Sequence, residues 1–298
     1  MTNSGQVRKR SSRYVRPTEP PRFRLTERDA RIVKAVNDFR VLRQDQLQRL
    51  FFPSRNTAQV RLQLLWQHGF LRREFLPVMG GIQTSPILYV LDRRGFDLLQ
   101  SKYEYDAGSI RWSRKHLDFQ FVEHTLGLAE IRVAVELSCR KNAFQLRKWV
   151  DERNLKRDYD RVRVGNSWVS VIPDAYLVIG LPTGDVHFFV EFDRGPESLA
   201  LIKRKLSAYG VYYHSGKCKA RYGTDRIRVL IITQSEVTEK RSRLDNIRQL
   251  AAGLGESQWF WFSRLNQVAT IDFLASPIWW PSKATSPVAL MRGPVGHE

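Results

Sequence analysis

Three acids stand close together in the stretch IPDAYLVIGLPTGDVHFFVEFDRG, residues 172–195. Asp174 opens the first of two apolar runs, and Glu191 and Asp193 close the second. Side chains alternate along a strand, so residues two apart share a face. Glu191 and Asp193 therefore point one way, and Val190 and Phe192 point the other, into the packed side. A turn centred near Thr183 and Gly184 folds the runs into a hairpin. That centre sets Asp174 opposite Asp193, to within about two residues, because turn type fixes register. Three carboxylates then converge at one end of a two-stranded ribbon.

Carboxylates gathered in this way repel and raise one another's pKa. A divalent cation among them removes the conflict, and Mg2+ or Mn2+ takes such oxygen ligands. An ion held there could polarise a phosphodiester and activate water. The rival reading pairs Asp193 with Arg194 or another cation and leaves the acids as strand-end charges. Spacing alone leaves both readings open.

A helix follows the acids. Leu199, Ile202, Leu206, Tyr209 and Tyr213 form its buried stripe, and Lys203 and Lys205 flank that stripe on opposite sides. Either lysine could lean toward the carboxylates. Glu123 and Glu130, seven apart on an earlier long helix, are candidates for a further acid. Tyr209 and Tyr213 are better explained as core than as nucleophiles. The six histidines show no His-apolar-His pairing, and GVYYHSGK at 210–217 lacks the spacing and the hydroxyl of a phosphate-binding loop.

The elements that must position these groups follow from periodicity. The chain has 298 residues, with 49 Lys and Arg against 30 Asp and Glu, a formal net charge of +19. A surplus of that size points to nucleic acid. Two cysteines without ligand spacing fit a reducing cytoplasm, and neither a membrane span nor a secretory signal is visible. Residues 1–24 read as a disordered basic arm. Residues 25–104 read as three helices and a hairpin, in the order of a winged helix-turn-helix. The third helix, capped by Ser54 and stopped by Gly69, turns Ala58, Leu62 and Leu65 inward and Arg55, Asn56, Gln59 and Gln63 outward. Those outward side chains can read base edges of double-stranded DNA. Arg72 and Arg73 on the first wing strand suit phosphates, and VMGGIQT at 78–84 forms the wing tip. A linker from about Tyr103 to Leu117 leads into a mixed α/β domain at 105–275. The proline-bearing remainder, 276–298, reads as a loosely ordered tail in which Trp279 and Trp280 either cap the core or await a partner.

The acid pattern resembles the PD-(D/E)xK nuclease superfamily, whose restriction-endonuclease-like fold is α/β around a mixed sheet. Pro173 and Asp174 match the first half of its motif and Glu191 the acid of the second, while Asp193 stands where the lysine belongs. The resemblance implies that the lysine comes from the following helix. The combination of an N-terminal winged helix with PDAYLVIG, HFFVEFDRG and LIKRKLSAYGVYY also resembles the replication-relaxation family of bacterial plasmids and integrative elements. That resemblance implies Asp174, Glu191, Asp193, Arg194 and Lys205 as the signature. It implies a protein that binds plasmid or element origin DNA and nicks it, beside replication or conjugation proteins. Asp174 and Glu191 would hold Mg2+ or Mn2+, Asp193 would assist, and Lys205 would steady the scissile phosphate. The alternative is a non-catalytic DNA-binding initiator or transcriptional regulator on a degenerate nuclease fold.

Overall fold

Thr26 opens the first helix because its hydroxyl accepts the Asp29 amide while the Asp29 carboxylate accepts the Thr26 amide, a reciprocal cap. The computed structural model describes residues 12–76, 85–103, 119–195, 197–234, 242–255 and 257–291. The wing-tip stretch at 78–84 and most of the expected linker lie outside these residues, as do the first eleven and last seven positions. Contacts divide the chain into two units, Met1–Ala129 and Glu130–Glu298.

In the first unit, helix α1 (Glu27–Phe39) buries Ala30, Ile32, Val33, Val36 and Phe39. Strand β1 (Leu42–Arg43) and helix α2 (Gln44–Phe51) follow. Helix α3 (Arg55–Gln67) is capped by Ser54, whose Oγ accepts the Thr57 amide at 3.3 Å. It buries Ala58, Leu62, Leu65 and Trp66 and gives way at Gly69, where φ is +75°. Strands β2 (Leu71–Phe75) and β3 (Ile87–Leu91) pair antiparallel, and β1 adds to the free side of β3, giving the order β1-β3-β2. Helix α4 (Arg93–Lys102) closes the group.

Residues 12–24, within the segment expected to be a disordered basic arm, are pinned across this unit. Arg16 donates to the Leu71 carbonyl at 2.8 Å and pairs with Asp92. Phe23 stacks on His68, whose Nε2 meets the Pro21 carbonyl at 2.8 Å. Prolines forbid a helix there, yet an extended chain can still dock by its side chains.

Helix α5 (Phe119–Lys141) runs across the division between units. In the second unit Ile131, Val133, Ala134, Val135 and Cys139 are buried on several of its sides, so it reads as an interior helix. The chain continues through β4 (Gln145–Asp151), the short α6 (Glu152–Leu155), β5 (Asp160–Val164) and β6 (Ser167–Val171). Then come β7 (Ala175–Leu181), β8 (Gly184–Asp193), α7 (Leu199–His214), α8 (Lys217–Tyr222) and β9 (Ile227–Thr233). Last are α9 (Arg243–Ala252), β10 (Phe260–Arg264), α10 (Leu265–Thr270) and β11 (Trp280–Pro281).

Six strands form one mixed sheet in the order β11-β10-β9-β8-β7-β4. The β8/β9 and β9/β10 pairs are parallel and joined through helices; the other pairs are antiparallel. The architecture is therefore α/β around a mixed sheet. Strand β7 is buried from Ala175 through Gly180, as a strand covered on both faces requires. One face packs Tyr176, Phe189, Val229 and Phe260 against Ile202, Leu206, Tyr209 and Tyr213 of α7 and Ile247 of α9. Among the described residues no helix is long and apolar enough to cross a membrane.

The segment after Ser276, expected to be loose, is folded through Met291. Ile278, Trp279, Leu290 and Met291 are buried, and Trp279 Nε1 donates to the Phe273 carbonyl at 2.8 Å. Its prolines punctuate a packed segment, and Trp279 belongs to the core.

Asp272 ties that segment to α5. It accepts from the Ser138 hydroxyl, from Asn142 Nδ2 at 3.0 Å, and from the Leu274 and Ala275 amides at 3.1 Å each. Burial alone would raise its pKa, but these donors outweigh burial and hold it at about 2. A depressed carboxylate contributes stability that is complete above its unfolded value of 3.8 and is lost as pH falls toward about 2. Asp272→Ala strands those donors, so it should cost about 1–3 kcal/mol at neutral pH. Its unfolding midpoint in urea should also lose part of the acid dependence that wild type shows below pH 4, read by tryptophan fluorescence.

Candidate metal centre

The centre is built by register. Asp151 of β4 pairs with Ala175 of β7, and Ala175 pairs with Val190 of β8. One step beyond, the same antiparallel ladders bring Glu152, Asp174 and Glu191 into a row across three neighbouring strand ends. Carboxylate oxygens of Glu152 and Asp174 lie within 4.8 Å of each other. The Asp174 amide donates to the Val190 carbonyl at 3.0 Å, and its Oδ2 accepts the Phe192 amide at 2.7 Å. Its side chain therefore continues the β7–β8 ladder where the strand's own carbonyls stop, which fixes the carboxylate against the sheet.

Glu191 shares the face of Phe189, which is covered by α7. Tyr209 donates its hydroxyl to Glu191 Oε1, and Lys205, one turn earlier on the same helix, pairs with Oε2. Burial pushes the Glu191 carboxyl up to about 7; Lys205 opposes that rise and the neighbouring Asp174 adds to it. The carboxylates in turn raise the pKa of Lys205, which stays an ammonium. Lys156 pairs with Glu152 at 2.6 Å.

The carboxylates of Glu152 and Asp174 offer oxygen donors close together, and the neighbouring Glu191 is an acid that its surroundings push toward protonation. Those features fit a hard divalent cation such as Mg2+ or Mn2+. Glu152 and Asp174 are carboxylates that could hold it, and Glu191 lies beside Asp174. The face that carries the acids is not open: α7 covers Glu191, and Arg243 of α9 covers Asp193.

Asp193 is engaged elsewhere. Arg243 binds it through two nitrogens, with Nη2 to Oδ1 at 2.7 Å. Of the two lysines weighed on α7, Lys205 reaches Glu191 and Lys203 is exposed. Glu130 is buried and Glu123 half-buried on α5. In the first unit Arg55, Asn56 and Gln59 are exposed on α3 and Gln63 is half-buried. Arg72 pairs with Glu74 at 2.7 Å, and the Arg73 guanidinium lies 4.1 Å from the centre of the Trp66 ring.

Three participants escaped sequence reasoning. Glu152 sits one residue past a strand, in WVDERN, and only the β4–β7 pairing brings it to Asp174. Tyr209 was legible as core but not as a hydrogen-bond donor to Glu191. Arg243 lies fifty positions from Asp193, and no local pattern links them.

The model of the replication-relaxation family matches residues 33–226. No curated protein sequence is similar to the chain. Among solved structures, restriction endonuclease FokI superposes with a TM-score of 0.26 at 12% identity, over 81% of this chain and 43% of FokI. FokI bound to DNA gives 0.27, 12%, 81% and 43%. The chain thus spans less than half of FokI's length. The family match covers most of the chain, from within α1 to the threshold of β9, and it contains Glu152, Asp174, Glu191 and Lys205. The chain belongs to the replication-relaxation family.

Proposed function

We propose that the chain binds duplex DNA at a plasmid or mobile-element origin through its first unit and nicks one strand with a divalent ion held in its second. The observation that carries the reading is the buried contact of Glu191 with Lys205 and Tyr209, in register with Asp174 and Glu152. A bound ion would supply Lewis-acid polarisation of the phosphodiester and a water of lowered pKa. Asp174 and Glu191 hold that ion, Glu152 adds a third oxygen donor, and Lys205 steadies charge on the scissile phosphate. Tyr209 orients the Glu191 carboxylate, and Asp193 acts through its tie to Arg243. This arrangement is compatible with the PD-(D/E)xK pattern, with the lysine carried by a helix.

In the first unit, three helices, a hairpin and an added β1 support a winged helix-turn-helix. Its α3 presents Arg55, Asn56, Gln59 and Gln63 to the major groove. Arg72 and Arg73 are partly committed to Glu74 and Trp66, so their share in phosphate binding is smaller than that of freely exposed arginines.

One observation favours a second reading. Glu191 and Asp193 already have basic partners, Lys205 and Arg243. A non-catalytic initiator or regulator would keep such pairs as internal structure.

Supercoiled origin plasmid with Mg2+ or Mn2+ separates the two. Wild type should yield open circles, and Asp174→Asn and Glu191→Gln should slow nicking by about a hundredfold or more while duplex affinity stays near wild type. Duplex binding without nicking, in either metal, would leave the regulator. Arg55→Ala and Asn56→Ala should each weaken binding to the preferred duplex by about tenfold or more, with less effect on unrelated duplex. Equal loss on both duplexes would remove α3 as the reading helix.

A further inference from the structure

Strands β5 and β6 form a two-stranded antiparallel ribbon separate from the main sheet. One face carries Val162, Val164, Val169 and Val171, which pack into the core beneath α7. The other face carries Arg161 and Arg163 of β5 and Trp168 and Ser170 of β6. Arg163 stands directly across from Trp168, and Arg161 across from Ser170. Trp168 is 56% exposed, and both arginines are exposed. Among the described residues neither guanidinium is in an ion pair. The acids beside the ribbon are occupied elsewhere: Asp160 accepts from Tyr212 and Arg221, and Asp158 from Arg221.

The ribbon is braced. Arg204 of α7 donates to the Trp168 carbonyl at 3.4 Å, and Lys217 of α8 to the Arg161 carbonyl at 2.8 Å. Both braces bring further positive charge. The core has no need of this indole, since the valines supply the buried face. What remains is a flat aromatic surface held on a rigid strand beside two exposed guanidinium groups, with the nearby Asp158 and Asp160 already engaged by Arg221 and Tyr212. A ligand that complements both features has a planar π-face and a polyanionic backbone. In a duplex both faces of each base are already stacked, so the indole fits a base of an unpaired strand.

We propose that the β5–β6 ribbon is a platform for single-stranded DNA, with a base stacked on Trp168 and neighbouring phosphates held by Arg161 and Arg163. The same α7 that supports the ribbon carries Lys205 and Tyr209 to Glu191 on its inner face. The site would therefore receive a strand opened near the acidic cluster. The proposal goes beyond nicking by the acids and stands whether or not they cut.

The test uses the full chain and a fluorescein-labelled oligothymidylate of about 15 nucleotides, within the range of one stacking platform, in EDTA so that cleavage plays no part. Trp168→Ala should weaken anisotropy-measured binding by about five- to a hundredfold, while Trp168→Phe, which keeps a ring, should lose far less. The double variant Arg161→Ala/Arg163→Ala should also weaken binding and flatten its dependence on salt. A duplex carrying the preferred site, bound through α3, is the control and should be held equally by all variants. Oligothymidylate binding that is unchanged in Trp168→Ala and in the double arginine variant would overturn the proposal. So would equal losses in Trp168→Ala and Trp168→Phe. Failure of duplex binding in the α3 variants is scored separately, so the two surfaces succeed or fail independently.

Discussion

A carboxylate enclosed between a sheet and a helix is the constraint around which the second unit is arranged. Glu191 is 6% exposed and would be costly as a lone charge in that position. Lys205 and Tyr209 answer it from successive turns of α7, which fixes the rotation of that helix over the sheet. Ile202, Leu206 and Tyr213 then fall on the core. Asp174 adds negative charge next to Glu191, so the pair attracts a cation and resists simultaneous ionisation. Structure and chemistry meet here: the helix that satisfies the acid also delivers the ammonium group nearest to it.

The first unit uses a related device for a different end. Asp29 is fully buried, yet it caps α1 and pairs with Arg61 of α3. That pair fixes the angle between two helices, and the Arg61 guanidinium also donates to the Arg24 carbonyl and lies over Phe23. The strap before α1 is thereby tied to α3. Breaking one partner of such a pair leaves a buried charge, so both residues are held in place by the cost of separation.

Local chemistry was readable in the sequence, and pairing at a distance was not. The cap at Ser54, the stop at Gly69 and most of the α7 stripe came directly from residue type and period, although Leu199, at the start of that stripe, is exposed. The β7–β8 hairpin was legible too, but its centre lies at Pro182–Thr183, since Leu181 pairs with Gly184. Moving a hairpin centre by one residue moves every pair by two, which is why Asp174 aligns with Glu191 instead of Asp193. Glu152 needed a third strand whose register no local pattern encodes. Composition misled at 12–24 and 277–291, where prolines and basic residues suggested loose chain. Phe23, Arg16 and Trp279 dock those segments through side chains, and docking of that kind leaves no periodic trace.

Mn2+ uptake tests the central claim most directly, because its electron paramagnetic resonance signal counts free ion without any demand for turnover. Wild type should take up one tightly held Mn2+ per chain, and Asp174→Asn should lose it while keeping the wild-type circular dichroism spectrum. Equal uptake by both proteins would contradict an ion held between Asp174 and Glu191.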